Sequence, residues 1–351
     1  MLTSGVLAGG AIAGIELSYW QATAVKTVVV LTVIPVGALV LGYVFLLKMM
    51  AHMQSRLGPM ESGGFHGWFQ LVGDAVKFIQ KEDIIPARAD RRVFALAPVV
   101  VLASTFLLYV VIPAGPRLVV EDLDVGIFFA LAVSSLSVVG VLMAGWASAN
   151  KYSLLGALRA AGQLIAYELP LVLAVVGVVI QAGTMSMQGI VEAQAEGSIL
   201  GTSAIGNPYL LTQFVGFAIF LVAAQAELTQ TPFDMPVAES ELVAGYMTEY
   251  SGFRFLFFFM AEFGSAFALA AIASTLFLGG WYVPGVTGGL ADVAGPLVLG
   301  AKIMAVSFLI FWMRFTFPRF REDQLQTFAW KVLIPLSLAN IVVTAVAKVA
   351  A

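Results

Sequence analysis

The stretch Val125-Gly126-Ile127-Phe128-Phe129-Ala130-Leu131-Ala132-Val133-Ser134-Ser135-Leu136-Ser137-Val138-Val139-Gly140-Val141-Leu142-Met143-Ala144-Gly145-Trp146-Ala147-Ser148-Ala149 contains no charged side chain. Coiled as an α-helix at ~1.5 Å per residue, it is longer than the ~20 residues needed to cross a ~30 Å hydrocarbon core. Similar apolar windows fall at residues 25–47, 93–112, 164–182, 210–226, 253–278, 297–312 and 328–346, which with 125–149 make eight expected spans. Composition agrees. Of the 351 residues, 60% are hydrophobic and 11% charged, whereas a soluble domain carries ~25% charged residues and uses them to cover its surface. The expected fold is an all-α membrane protein, one polytopic domain over residues 1–351, built from about eight transmembrane helices.

Composition also limits the chemistry. A formal net charge of -3 gives no basic surface for nucleic acid. With no cysteine, the chain has no thiolates of its own for an iron-sulfur cluster or a cysteine zinc site. The two histidines, His52 and His66, are separated by Gly58-Pro59 and Gly63-Gly64, which break any helix that would align them on a haem. No metal site is expected. Met1-Leu2-Thr3-Ser4 lacks the positive region of a cleaved signal peptide, and the first basic residue is Lys26. A retained, non-cytoplasmic tail is expected there.

Eight spans place both termini on one side, so the charged loops sort into two sets. Loops one, three, five and seven, with their helix ends, hold Lys48, Arg56, Lys77, Lys81, Arg88, Arg91, Arg92, Lys151, Arg159, Arg254, Arg314, Arg319, Arg321 and Lys331. The other side holds Lys26, Arg117 and Lys348. Fourteen bases against three put the odd loops in the cytoplasm and both termini outside. Lys302 is left inside span seven. In the first odd loop, Trp68, Leu71, Val72, Ala75 and Ile79 recur at helical spacing, so residues 67–81 read as an amphipathic helix lying on the cytoplasmic interface. Such a helix either anchors the loop to headgroups or lines an opening for a lipid-soluble ligand. No internal repeat supports an inverted-repeat transporter.

Ionisable groups within spans are costly and usually face a protein interior or a hydrated path. Glu168, Glu227 and Glu262 lie in or at the ends of spans four, five and six, with Lys302 in span seven. The alternative is that they pair with one another or snorkel to an interface. From Ala226-Glu227-Leu228-Thr229-Gln230-Thr231-Pro232-Phe233-Asp234 through Glu239, Glu241 and Glu249, the chain sets down five acids before its next base, Arg254. Carboxylates crowded away from water repel one another and lose solvation, which raises their proton affinity and couples their titrations. A solvated acidic loop is the plainer reading, but Pro232, Phe233 and Pro236 and the apolar run after Gly252 argue for burial. Arg56 beside Leu57-Gly58-Pro59, and the run Arg314-Phe315-Thr316-Phe317-Pro318-Arg319-Phe320-Arg321, put guanidinium groups with aromatic rings on the same side. That combination suits a polar head on an apolar tail, although arginines follow inner helix ends in any membrane protein.

Four stretches carry a resemblance to a known family: Met53-Gln54-Ser55-Arg56-Leu57-Gly58-Pro59 and on to Lys81-Glu82; Ala144-Gly145-Trp146-Ala147-Ser148-Ala149-Asn150-Lys151-Tyr152-Ser153 and on to Tyr167-Glu168; Ala226-Glu227 to Tyr250-Ser251-Gly252; and Arg314 to Gln324-Leu325. Together they resemble the H subunit of bacterial NADH:quinone oxidoreductase, the counterpart of the mitochondrial complex I subunit at the quinone pocket. The resemblance implies a helix bundle where a peripheral redox arm meets membrane pumps in a prokaryotic inner membrane, with quinone as substrate entering from the bilayer. It implies no redox centre in this chain, iron-sulfur clusters and flavin in partner subunits, and both membrane and peripheral subunits as partners. Carried over residue by residue, it implies a proton relay through Glu168, Glu227, Glu239, Glu241, Glu249 and Glu262. It also implies a quinone-side role for Arg56, Trp68, Phe69, Asp74, Phe233 and Asp234, with Lys302 and Arg314 as further charged members. The chain departs from the pattern at Gln230 and Val237, where an arginine and a glutamate are usual, at Leu46-Leu47 in place of a glutamate-arginine pair, and at Met60 in place of an asparagine. Opposite charges are lost together, so the local net charge is kept.

The expected mechanism is that quinone reduction at the cytoplasmic mouth changes the charge near residues 234–241 and drives protonation changes along Glu227, Glu168 and Glu262. The alternatives are a membrane anchor of a related hydrogenase or ferredoxin- or deazaflavin-fed complex, and a self-sufficient secondary transporter.

Overall fold

In hydrocarbon, backbone polar groups must be satisfied within the protein, so apolar windows of spanning length form helices. The computed structural model describes residues 11–12, 15–16, 19–116, 118–197, 206–286 and 289–350. The expected N-terminal tail residues Met1 to Ser4, and Arg117, lie outside them. Among the described residues, seven helices are long and apolar enough to cross a membrane. They are Thr23–Met53, Arg91–Leu108, Gly126–Ala147, Lys151–Ala182, Gly252–Phe277, Leu290–Thr316 and Glu322–Ala350, here the first, second, third, fourth, sixth, seventh and eighth spans. A two-residue antiparallel pair, Ala11–Ile12 with Ile15–Glu16, precedes them. The chain is an all-α membrane protein.

Local chemistry sets the helix ends. Asp90 accepts from the backbone N–H groups of Arg92 and Val93 at 3.1 and 3.4 Å and so caps the second span, and Asn150 caps the fourth through Tyr152 N at 2.9 Å. Gly183, at φ 77°, ends the fourth span in the left-handed conformation open to glycine. The second span packs on the third, the third on the fourth, and the fourth on the fifth and eighth. The sixth span is gripped by the first, second and seventh and is buried along most of its length. With no aqueous drive between helices in lipid, close approach of small residues supplies the packing. A Cβ on Gly145 would come within 2.3 Å of Ala157 Cβ, and one on Gly140 within 2.4 Å of Val101 Cγ2.

The fifth span departs from the expected 210–226 window. Its helix is Phe214–Glu227, 14 residues, about 21 Å at ~1.5 Å per residue and short of a ~30 Å core. Gln213 interrupts it from the single turn Tyr209–Thr212, because the buried Gln213 side chain is engaged by Thr344 Oγ1 at 2.7 Å and Asn340 Nδ2 at 2.9 Å. At its other end Glu227 shares a small cavity with Ser134 and Ser265. Ser265 lies ~20 Å along the sixth span from Gly252, so the fifth helix ends at membrane depth. The remaining crossing is made by the acidic loop in non-helical form, which is tolerated at that depth only when covered by protein. Gln163 Nε2 donates to Ala226 O at 2.7 Å, Gln225 Nε2 to Thr231 O at 2.8 Å and Phe320 N to Pro232 O at 3.0 Å.

Gln70–Gln80 forms the expected amphipathic helix. Leu71 is buried toward Gly42, while Trp68, Val72, Val76 and Ile79 are exposed, an apolar face turned away from the bundle. Contacts such as Arg254 Nη2 to Asp83 Oδ2 at 3.3 Å and Asn150 Nδ2 to Glu249 Oε1 at 2.5 Å join the odd loops at one end. Lys26 Nζ to Glu121 Oε2 at 3.4 Å and Ser186 Oγ to Asp122 Oδ1 at 2.8 Å join elements at the other.

The loop is seated in a notch on the fourth span, where a Cβ on Gly156 would lie 2.7 Å from Tyr246 N and 2.8 Å from Gly245 Cα. Gly156→Val is expected to destabilise the assembled protein by about 1–3 kcal/mol through overpacking, read as a lower thermal midpoint. Gly162→Val, on the same helix with its nearest neighbour at 3.9 Å, is the control. Equal midpoints for the two variants would refute the notch.

Candidate functional site

The acids divide by depth. Glu227, at the end of the fifth helix, has its Oε2 atom buried with no hydrogen-bond partner among the described residues. Glu168, partly buried on the fourth span, lies within electrostatic reach of it. These two are the deepest of the six relay candidates.

One layer outward sits a charge cluster built by three separate elements. Glu262 of the sixth span accepts from Arg314 Nη1 of the seventh at 3.1 Å and from Gln230 Nε2 of the acidic loop at 3.3 Å. Gln230 thus gives Glu262 a neutral donor, while Arg314 supplies the cation. Asp234 sits where Arg319, Arg314 and Glu262 all act on its charge. Burial raises its pKa from 3.8 to about 6, a hydrogen bond from the Ala238 backbone and the two arginines opposing the shift and Glu262 adding to it. Tyr246 is raised well above the ordinary phenol range, by burial first and then by Glu262 and Asp234. It is therefore a neutral hydroxyl beside two carboxyl groups.

The outer rim is solvated. Glu241 is exposed and forked between Arg159 Nη1 at 2.5 Å and Arg319 Nη2 at 2.7 Å. The Arg159 hydrogen bond, with Arg319 adding, holds its carboxyl below the usual range. Glu239 is exposed at the start of the short helix Glu239–Leu242, and Glu249 is tied to Asn150. The loop is thus buried at its beginning and wet at its middle.

The expected quinone-side residues fall into two groups. Trp68 and Phe69 are each 60% exposed at the entrance to the amphipathic helix, with Trp68 stacked on Tyr43 at 4.5 Å. Asp74 accepts from Gln70 Nε2 at 3.1 Å on that helix, and the exposed Arg56 donates to Gln54 Oε1 at 2.8 Å. Lys48 Nζ donates to the Pro59 carbonyl and reaches Met60 Sδ at 3.4 Å. Phe233, by contrast, is 3% exposed and wedged between Tyr167 and Phe320, at 5.1 and 5.5 Å between ring centroids. It braces the loop. Lys302 stands apart from the acids: its Nζ donates to the carbonyls of Gly280 at 2.7 Å and Tyr282 at 3.3 Å, satisfying backbone oxygens beyond the end of the sixth span.

Reasoning from the sequence did not single out Tyr246 or the pairing of Glu241 with Arg159 and Arg319. No local pattern marks them, since each partner arrives from a different loop. Asp234 provides a direct test. Ionisation above its unfolded pKa of 3.8 and below its folded pKa of about 6 opposes folding, because the folded state holds the proton more tightly. Asp234→Asn is therefore expected to gain in thermal midpoint over the wild type as pH rises through that window, with a constant difference above it. A difference independent of pH across that window would refute the burial of this carboxyl.

Residues 25–345 match the family model described as NADH dehydrogenase. Over 301 residues, 86% of both chains, the protein is 48% identical to the H subunit of NADH-quinone oxidoreductase from Geobacillus kaustophilus (strain HTA426). Over the same share it is 47% identical to the protein of that name from Bacillus thuringiensis subsp. konkukian (strain 97-27) and 46% identical to that of Bacillus cereus (strain B4264). The family match runs from the first span to the last and takes in the whole acidic loop, and the chain belongs to the H-subunit family of the NADH-quinone oxidoreductases.

Proposed function

We propose that this chain forms part of the quinone pocket of a proton-translocating NADH-quinone oxidoreductase in the prokaryotic inner membrane, and that its buried carboxyl groups relay quinone reduction to proton movement. The observation that carries the reading is the graded sequence of acids: Glu241 in water between two arginines, Asp234 and Glu262 half-way in beside Arg314, and Glu227 and Glu168 at membrane depth. Coulomb interactions strengthen as water is excluded, so a charge appearing at the wet end is felt most by the dry members.

Quinone takes up two electrons and two protons to become quinol. The electrons come from partner subunits, where iron-sulfur clusters and flavin are expected, and this chain supplies binding and proton-active groups. Trp68, Phe69 and the exposed face of Gln70–Gln80 offer an apolar threshold at the interface for the tail. Arg56 and Asp74 stand near it for the head. Removing negative charge near Asp234 lets Glu262 lean more fully on Arg314; restoring it drives a proton toward Glu227 and Glu168. The odd loops face the cytoplasm in this arrangement, both termini lie outside, and the residues form one polytopic domain docked to membrane and peripheral subunits.

Glu168→Gln and Glu227→Gln in the assembled complex are expected to retain quinone reductase activity while proton translocation, measured in sealed vesicles, falls several-fold. Undiminished translocation per quinone reduced in both variants would overturn the relay.

A further inference from the structure

Where the fifth helix ends, a small cavity of about 30 Å³ lies between the second, third and sixth spans. Glu227 and four serines, Ser104, Ser134, Ser137 and Ser265, line it. A water needs roughly 10–15 Å³ of such space and two to four polar partners, so one or two waters fit. Four hydroxyls in one hydrocarbon-depth cavity exceed what packing alone asks of small residues.

Two of the hydroxyl protons are already committed, and a third hydroxyl is engaged by a neighbour. Ser104 Oγ donates to Val101 O at 2.7 Å. Ser134 Oγ donates to Leu131 O at 2.9 Å and also stands beside the Glu227 carboxyl, so its one proton is taken on either side. Ser265 Oγ shares a 2.9 Å hydrogen bond with Thr105 Oγ1 in which either hydroxyl can donate, and Thr105 Oγ1 also lies 3.2 Å from Val101 O. A hydroxyl that has given its one proton away offers only lone pairs. Ser104 and Ser134 therefore face the cavity as acceptors, and a further wall is the carboxyl of Glu227, whose buried Oε2 has no partner among the described residues. Acceptors on several walls of so small a space suit a group that carries two hydrogens on one small atom.

We propose that this serine-walled cavity is a buried water site, in which a water donates to serine oxygens and hydrogen-bonds Glu227 Oε2, fixing the direction in which that carboxyl points. The site rests on the reading of Glu227 as a proton-active group and adds Ser104, Ser134 and Ser265 to it as positioning residues. Ordinary packing would leave the serines replaceable by alanine. A water site would not, because an apolar cavity of this size stays dry.

The test is infrared difference spectroscopy on the assembled complex in membranes, in ordinary water and in H₂¹⁸O, with Glu227→Gln used to assign the carboxyl band. The expected result is an ¹⁸O-sensitive O–H band of a weakly bound water that disappears in Ser104→Ala/Ser134→Ala and in the cavity-filling Ser137→Val, and persists in the hydroxyl-keeping Ser134→Thr. The C=O band of protonated Glu227 should move to higher wavenumber in the first two variants as its hydrogen bond is lost. An unchanged water band in both overturns the site, as does its loss on exchanging sodium for potassium, which would mark an alkali cation instead. Failure of the relay reads differently: the Glu227 band then ignores quinone reduction, while the water band still answers to the serines.

Discussion

Non-helical backbone at membrane depth is the constraint around which this protein is arranged. A helix satisfies its own N–H and C=O groups, but the acidic loop that follows Glu227 does not, and no bulk water is at hand to replace the missing partners. The surrounding spans provide them. Gln225 gives its side-chain amide to the loop carbonyl of Thr231 and Phe320 a backbone N–H to that of Pro232, while Gln163 satisfies the helix-end carbonyl of Ala226 and the loop's own Tyr250 ties it to Phe94 O of the second span at 3.2 Å. The glycine notch at Gly156 and the aromatic wedge of Phe233 between Tyr167 and Phe320 are the packing side of the same requirement.

That arrangement explains why the charges sit where they do. Glu262 could not stand alone in the sixth span at modest cost, because truncating one partner of a desolvated ion pair typically costs ~3–5 kcal/mol. Arg314 from the neighbouring span and Gln230 from the loop meet it together. The loop is thus attached to the bundle through the same carboxylate that the proposed relay uses, so a change in its charge loosens or tightens the loop's seat. Structure and electrostatics are coupled at one side chain.

Much of this was legible in the residues. Apolar length announces a span because it follows from the thickness of the bilayer, and eight windows were visible, seven of them now helices of full length. The amphipathic helix was visible through Trp68, Leu71 and Ile79 for the same local reason. The short fifth helix was not, since Gln213 breaks it through partners at Asn340 and Thr344 more than a hundred positions away. Burial along the acidic loop was only half legible: prolines and Phe233 foretold a covered beginning, but nothing near Glu241 shows that Arg159 and Arg319 would hold it in water. The serines of the second, third and sixth spans look like ordinary small packing residues until the fold brings them around one carboxyl. The contact of the Gln230 amide with Glu262 was likewise not legible, because the two residues lie 32 positions apart.

The early end of the fifth helix also bears on the membrane voltage. Voltage drops across insulating material, and a loop carrying carboxyl, guanidinium and amide groups down to Glu227 replaces part of the insulator with polarisable matter. Moving one elementary charge through the full potential is worth about 2.3 kcal/mol per 100 mV. Most of that drop must then lie between Glu227 and the far face, so under the proposed relay charge shifts between Asp234 and Glu262 would sample little of it, and its first steps would run nearly free of the back-pressure that proton translocation creates.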